Sequence, residues 1–200
     1  MTDSIKLQDY KKIAFSSLFL SFFYSGLLGF EWFFFNILFT GLYFIYSSPP
    51  LRLKRIPFLS KFILSAASLI MVYSGYFSIE ANLKLNFNLV WPFFIAFALL
   101  LNFIDLKDIK GDSNDGIKTL PIIFGEWWGK RIIGLFFLIV YPLSFLWFKN
   151  IIPIKSYFLP LFALGGLIQY CLIVRDNYDE RPIFYLHLTG LSAFLIWHIF

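Results

Sequence analysis

The sequence predicts an all-α protein: a polytopic bundle of about seven transmembrane helices forming one domain over residues 1–200. Three observations predict it. Hydrophobic residues make up 59% of the chain and charged residues only 14%, where a soluble domain carries about a quarter charged. The chain holds 28 Phe, more than one small water-excluded core can hide, and its mean hydropathy is +0.73. The apolar residues fall into runs close to the roughly 20 residues that cross a hydrocarbon layer, with short polar stretches between them.

The first run, 13–29, follows a polar start (Asp3, Lys6, Asp9, Lys11, Lys12) and has no small-residue cleavage site. It reads as a span that stays rather than a signal peptide. Only Gly29-Phe30-Glu31 separates it from the second run, 31–47, so the two form a tight hairpin. Further spans are expected at 60–78, 88–105, 131–148, 157–174 and 183–199. Pro92 and Pro160 fall early in their helices, where a missing N–H costs least. Gly165-Gly166 suits close helix packing, and Trp127-Trp128 suits a membrane–water interface. His187 and His198, eleven residues apart, share a helix face; they read as histidines hydrogen-bonded within the bundle rather than a metal pair. Cys171, the single cysteine, forms no intrachain disulfide and has no ligand spacing.

Charge orients the bundle. Of the 17 Lys and Arg, only Lys84, Lys149 and Lys155 lie at one set of span ends. All others lie in or beside the N-terminus and the loops 48–60, 106–130 and 175–182. A cell-membrane protein with those segments in the cytoplasm is the expectation. The formal charge of +5 builds no continuous basic face, so nucleic acid is not an expected partner.

The chemistry concentrates in the cytoplasmic loops. The stretch Asn102-Phe103-Ile104-Asp105-Leu106-Lys107-Asp108-Ile109-Lys110-Gly111-Asp112 runs from the last turn of an apolar helix into the longest loop. If helix persists, Asp105, Asp108 and Asp112 stand at i, i+3 and i+7, on one face. Three carboxylates there repel one another unless a cation sits between them. Hard oxygen ligands beside a membrane suit Mg²⁺, which also holds substrate phosphate oxygens. A solvated helix end with Lys107 and Lys110 as partners reads the same residues equally well. Next come Asp115-Gly116-Ile117-Lys118-Thr119-Leu120-Pro121, where Gly allows a turn and Pro discourages helix. A second loop, Tyr46-Ser47-Ser48-Pro49-Pro50-Leu51-Arg52-Leu53-Lys54-Arg55-Ile56-Pro57, carries cations on a proline-stiffened turn at the same side of the membrane. Asp176, Asp179 and Glu180 read as a solvated cluster with Arg175 and Arg181, in a loop placed to cover such a site.

These two loops, "YSSPPLRLKR" and "DLKDIKGDSNDGIKTLPIIFG", resemble the UbiA superfamily of intramembrane prenyltransferases, and the resemblance runs from about residue 5 to the end. It implies a nine-helix bundle around a central cavity. It also implies Mg²⁺ and the diphosphate of a polyprenyl donor held by Asp-rich loops, and transfer of the prenyl group to an aromatic or quinone-precursor acceptor within the bilayer. By match, Asp105, Asp108 and Asp112 are the second Asp-rich motif, with metal-binding and catalytic roles. Tyr46, Arg52, Lys54 and Lys118 face the diphosphate. Phe94, Phe97, Phe103 and Tyr73 are aromatic candidates for the cavity wall. The rival readings are a non-catalytic remnant that only binds prenyl lipid and a small transporter; no acidic residue lies deep in any span, which disfavours the transporter.

The family's first motif, N-x-x-x-D-x-x-x-D, has no counterpart here. Asp3 and Asp9 lack its spacing, and on the resemblance it would precede the segment Ser4–Lys12. The seven spans then correspond to the family's nine less the first two. Little or no prenyl transfer by the 200-residue chain on its own is the expectation. Turnover of a prenyl diphosphate and an acceptor by the purified chain checks it, and robust turnover would overturn it.

Overall fold

A computed structural model describes residues 6–78, 87–149 and 156–199. Asp3, Ser4, Ile5, Lys84, Lys155 and the His198 side chain lie outside the described residues. Eight α-helices and no strand occur among them. The helices follow the apolar runs: α1 Leu7–Leu28, α2 Phe30–Ser47, α3 Leu59–Phe77, α4 Phe87–Leu100, α5 Ile109–Asn114, α6 Leu120–Phe148, α7 Leu159–Val174 and α8 Arg181–Ile199.

Three boundaries differ by five residues or more from the sequence reading, each for a local reason. α1 starts six residues before the expected 13, because Leu7–Lys12 contains no Gly or Pro to stop a helix. The expected span 88–105 is not one α-helix. It gives way at Leu101 to a 3₁₀ helix, Leu101–Leu106, and the chain re-forms helix only at α5. Pro121 starts a helix instead of discouraging one: it sits in the first turn of α6, where its absent N–H has no partner to lose. α6 therefore begins eleven residues before the expected 131. It is kinked at Gly125, whose φ of 79° and ψ of 157° are not helical. Glycine reaches this backbone without the steric cost an L side chain meets.

Packing runs in chain order, α1 on α2, α2 on α3, α3 on α4, α4 on α6 and α6 on α7, with α8 against α7. α1 and α2 meet as the expected hairpin through Gly29. Asn36 Nδ2 on α2 donates to Ser21 Oγ (2.9 Å) and Ser25 Oγ (3.1 Å) on α1, a polar tie suited to an apolar surrounding. The α1 and α2 surfaces are otherwise strongly apolar. Phe15, Phe19 and Phe30 are exposed by 71%, 68% and 77%, large apolar side chains that suit lipid better than water. By length and composition, one helix among the described residues, Leu120–Trp147, is long and apolar enough to cross a membrane. Leu59–Gly75, Val90–Leu106 and Leu159–Val174 are apolar but shorter.

The buried core gathers Phe103 and Leu106 of the 3₁₀ helix, Leu120, Ile133 and Phe137 of α6, Ile173 of α7 and Ile183 of α8. The expected close approach at Gly165-Gly166 is present. A Cβ at Gly166 would lie 2.9 Å from the Phe137 carbonyl oxygen and 3.3 Å from Leu138 Cα, so α6 and α7 touch backbone to backbone. His187 behaves as a bundle histidine, with Nδ1 2.8 Å from the Tyr141 hydroxyl. That hydroxyl also accepts from Gln169 Nε2 at 3.3 Å. Gly166→Ala is expected to lower stability by about 1–3 kcal/mol, the usual cost of overpacking against rigid neighbours. Thermal unfolding in detergent checks this. Gly165→Ala should cost less, because its Cβ would meet only the Tyr141 ring, at 3.1 Å.

Candidate functional site: a carboxylate–cation corner at one end of the bundle

The site is assembled by two chain reversals. In the first, α2 ends near Tyr46, and Ser48 N–H donates to the Phe44 carbonyl (2.8 Å). The chain then passes the cis Pro49–Pro50 bond to Arg52, which adopts the left-handed conformation at φ 44°. Arg52 N–H closes this turn on the Ser48 carbonyl (2.9 Å). A 3₁₀ turn, Leu53–Arg55, carries Lys54, and α3 begins at Leu59 with Lys61 in its first turn. Arg52 and Lys54 are half-buried, and Arg52 Nε is buried without a hydrogen-bond partner among the described residues.

In the second reversal, the 3₁₀ helix after α4 places Asn102 and Asp105 one turn apart, both buried. Asn102 Nδ2 donates to the Ala98 (3.0 Å) and Leu99 (2.9 Å) carbonyls, steadying the change from α to 3₁₀ winding. Asp105 Oδ1 accepts from Lys61 Nζ in a buried ion pair. Its Oδ2 is buried without a partner among the described residues. Asp108 is exposed and immediately precedes α5; Asp112 is half-buried within it. Asp112 N–H binds the Asp108 carbonyl, and Ile117 N–H binds the Asp112 carbonyl, both at 2.8 Å. These bonds wind the acidic segment into a corner.

The shared helix face expected for Asp105, Asp108 and Asp112 is therefore absent, because winding changes at Leu101 and breaks at Lys107–Asp108. Folding nevertheless brings the three into one electrostatic neighbourhood. Burial raises the Asp112 pKa, and the Asp108 carboxylate beside it adds to the rise, against the cations Lys61 and Lys54. Tyr46 lies within reach of the charges on Asp105 and Asp112. Lys54 Nζ stands 4.0 Å from Asp115 Oδ2, so the basic turn and the acidic loop meet. Lys118 is exposed, and with Lys61, Asp105, Asn102 and Thr119 it lines a space of about 10 Å³, room for about one water.

Among the described residues no three Asp, Glu, His or Cys side chains are grouped to hold one metal ion. The donor set still fits Mg²⁺, which is usually held by one or two carboxylates together with substrate phosphates rather than by an all-protein cage. The unpartnered Asp105 Oδ2 is the structural observation consistent with that. A separate apolar cavity of about 410 Å³ lies between α4, α6 and α8. Phe97 and Phe103 of the expected aromatic residues line it, whereas Phe94 stacks on Phe62 and Tyr73 packs edge-on to Phe35.

Sequence reasoning missed three residues. Lys61 counted only as a basic residue at a span end, although a lysine in the first turn of an apolar helix needs a partner, and that was the available signal. Tyr178 and Lys130 tie the loop between α7 and α8 to the site. The Tyr178 hydroxyl donates to the Phe103 carbonyl (2.8 Å), two residues before Asp105. Lys130 Nζ donates to the Arg175 and Asp176 carbonyls, both at 3.3 Å. Lys107 adds an ion pair to Glu180 at 3.7 Å. The expected solvated cluster is thus partly a strap over the 3₁₀ turn; Arg181 and Asp179 remain an exposed pair. Trp127 and Trp128 are exposed, as an interfacial pair would be, and the Arg131 guanidinium lies 3.3 Å over the Trp127 ring.

Among the described residues the fold is an all-helical bundle with carboxylates and cations converging at one end. Compared with known families, residues 2–197 match the UbiA prenyltransferase family, and the chain belongs to it. Among curated proteins, it is 27% identical over 132 residues to a digeranylgeranylglyceryl phosphate synthase of Sulfolobus acidocaldarius, covering 64% of this chain and 46% of that protein. It is 33% identical over 120 residues to a protein of the same name from Methanopyrus kandleri, covering 53% of this chain and 42% of that one. The matched region spans somewhat under half the length of these relatives. No solved structure matches.

The raised Asp112 pKa has a consequence for stability. The folded chain holds the Asp112 proton more tightly than the unfolded chain does. Its contribution is therefore full below the ordinary carboxylate pKa and is lost as pH rises through the folded value. Asp112→Asn is expected to leave stability unchanged at low pH and to raise it near neutrality, as read by thermal unfolding across pH.

Proposed function

We propose that this chain takes part in Mg²⁺-dependent transfer of a prenyl group from a polyprenyl diphosphate to an acceptor within the membrane. The observation that carries this reading is the meeting of the Pro-Pro basic turn with the acidic loop, Lys54 against Asp115 at 4.0 Å. In this reading Asp105, Asp108 and Asp112 offer the metal-holding carboxylates. Tyr46, Arg52, Lys54 and Lys118 position the diphosphate. Mg²⁺, when bound, supplies positive charge against the charge that grows on the departing diphosphate. The fixed cations of the 48–55 turn add to that stabilisation, because they are held in place before the bond breaks. The surrounding apolar helices exclude the water that would quench an allylic cation.

The family resemblance implies an aromatic or quinone-precursor acceptor. The relatives' names favour a second reading, a prenylated glyceryl phosphate. We place seven spans across the cell membrane, with the N-terminus and both site loops in the cytoplasm.

The test uses the purified chain in lipid nanodiscs with a non-hydrolysable prenyl thiodiphosphate. A rise in thermal stability that requires Mg²⁺ is expected. Arg52→Ala and Lys54→Ala should each weaken it by about tenfold in apparent affinity, the loss of one charge-assisted contact. A shift independent of both Mg²⁺ and these cations would overturn the diphosphate assignment. Offering 4-hydroxybenzoate or geranylgeranylglyceryl phosphate to the chain loaded with Mg²⁺ and the thiodiphosphate separates the two acceptors by which of them raises thermal stability further.

A further inference from the structure

Lys61 has no role in the reading above, yet it is the cation in direct contact with the acidic motif. It sits in the first turn of α3 with a side chain 9% exposed, against 8% for its partner Asp105. Taking two charges out of water costs several kcal/mol per ion, and the cost is recovered only by close pairing. The pairing is incomplete on one side. Lys61 engages Oδ1, and Oδ2 is buried without a partner among the described residues. Lys61 also faces the same small space as Lys118, which the diphosphate reading places against substrate. Two cations drawn to one buried carboxylate repel each other strongly at contact distances. An ammonium fixed at Asp105 thus opposes the holding of a divalent ion there.

We propose that Lys61 is the resident cation of this site. Its ammonium shares Asp105 with any divalent ion held by the acidic motif, through Oδ1, and so weakens the hold on that ion. It also supplies positive charge to a diphosphate in the absence of metal. The proposal rests on the diphosphate reading and adds a residue that sets its metal dependence. Its signature is a pair of effects opposite in sign. Removing the Lys61 charge should strengthen the grip on a divalent ion and weaken the grip on a metal-free anion. A lysine that only braces the fold would weaken both or change neither.

The experiment uses the full chain in nanodiscs with two simple probes, Mn²⁺ alone by paramagnetic resonance and inorganic pyrophosphate in chelator by calorimetry. Lys61→Met keeps the stem without the charge; Lys61→Arg keeps the charge. Lys61→Met is expected to bind Mn²⁺ about tenfold tighter and pyrophosphate about tenfold weaker. Lys61→Arg should stay close to the wild type on both. Should Lys61→Met fail to fold because Asp105 is left unpaired, Lys61→Met combined with Asp105→Asn removes both charges. That double variant is expected to lose metal-free pyrophosphate binding, and wild-type pyrophosphate affinity in it would overturn the proposal. Loss of both probes by Lys61→Met, or no change in either, would also overturn it. If the wild type takes up the prenyl thiodiphosphate with Mg²⁺ while Lys61→Met leaves both probes unmoved, only the role of Lys61 falls. If the wild type binds none of the three, the diphosphate reading falls with it.

Discussion

The buried pair between Lys61 and Asp105 joins the two chain segments that make this end of the molecule. Lys61 belongs to α3, which begins directly after the basic turn, and Asp105 belongs to the 3₁₀ helix, which ends directly before the acidic loop. Each charge, left alone in this surrounding, would be costly enough to distort the fold or change its protonation. Together they hold the Pro-Pro turn and the acidic corner in register. The contact of Lys54 with Asp115 and the nearness of Tyr46 to the carboxylates follow from that register.

The 3₁₀ winding of Leu101–Leu106 is what lets one short segment serve two surroundings. With three residues per turn, Asn102 and Asp105 line the small polar space, while Phe103 and Leu106 enter the apolar core. Tyr178 bonds to the Phe103 carbonyl from across the chain, so the loop between α7 and α8 bears on the turn that carries Asp105. Lys130 anchors the start of the same loop through two carbonyls. The carboxylate is thus positioned by α3 on one side and by the loop between α7 and α8 on the other.

Much of the fold was legible in the sequence because the bilayer imposes a simple code. A run of about 20 apolar residues has few alternatives to helix when no water is present to satisfy its backbone. Seven of the eight helices accordingly lie on the seven apolar runs, although the run 88–105 changes winding at Leu101 and α6 starts eleven residues before its run. The tight hairpin at Gly29 and the close approach at Gly166 were equally legible, since each depends on a residue with no Cβ. The kink at Gly125 was not. A glycine inside a helical pattern does not say whether its backbone will use the freedom it has.

The candidate site divides along the same line. The sequence by itself determined the all-helical class, the residue types at the site and their gathering into two loops, because composition, period and spacing are local properties of the chain. Only the tertiary structure decided that Asp105, Asp108 and Asp112 share a corner rather than a helix stripe. It alone decided that Lys61 stands against Asp105, and that Tyr178 reaches Phe103 from 75 residues away. The physical reason is that a buried charge takes whichever partner the packing of distant helices brings within reach. No local pattern encodes that distance.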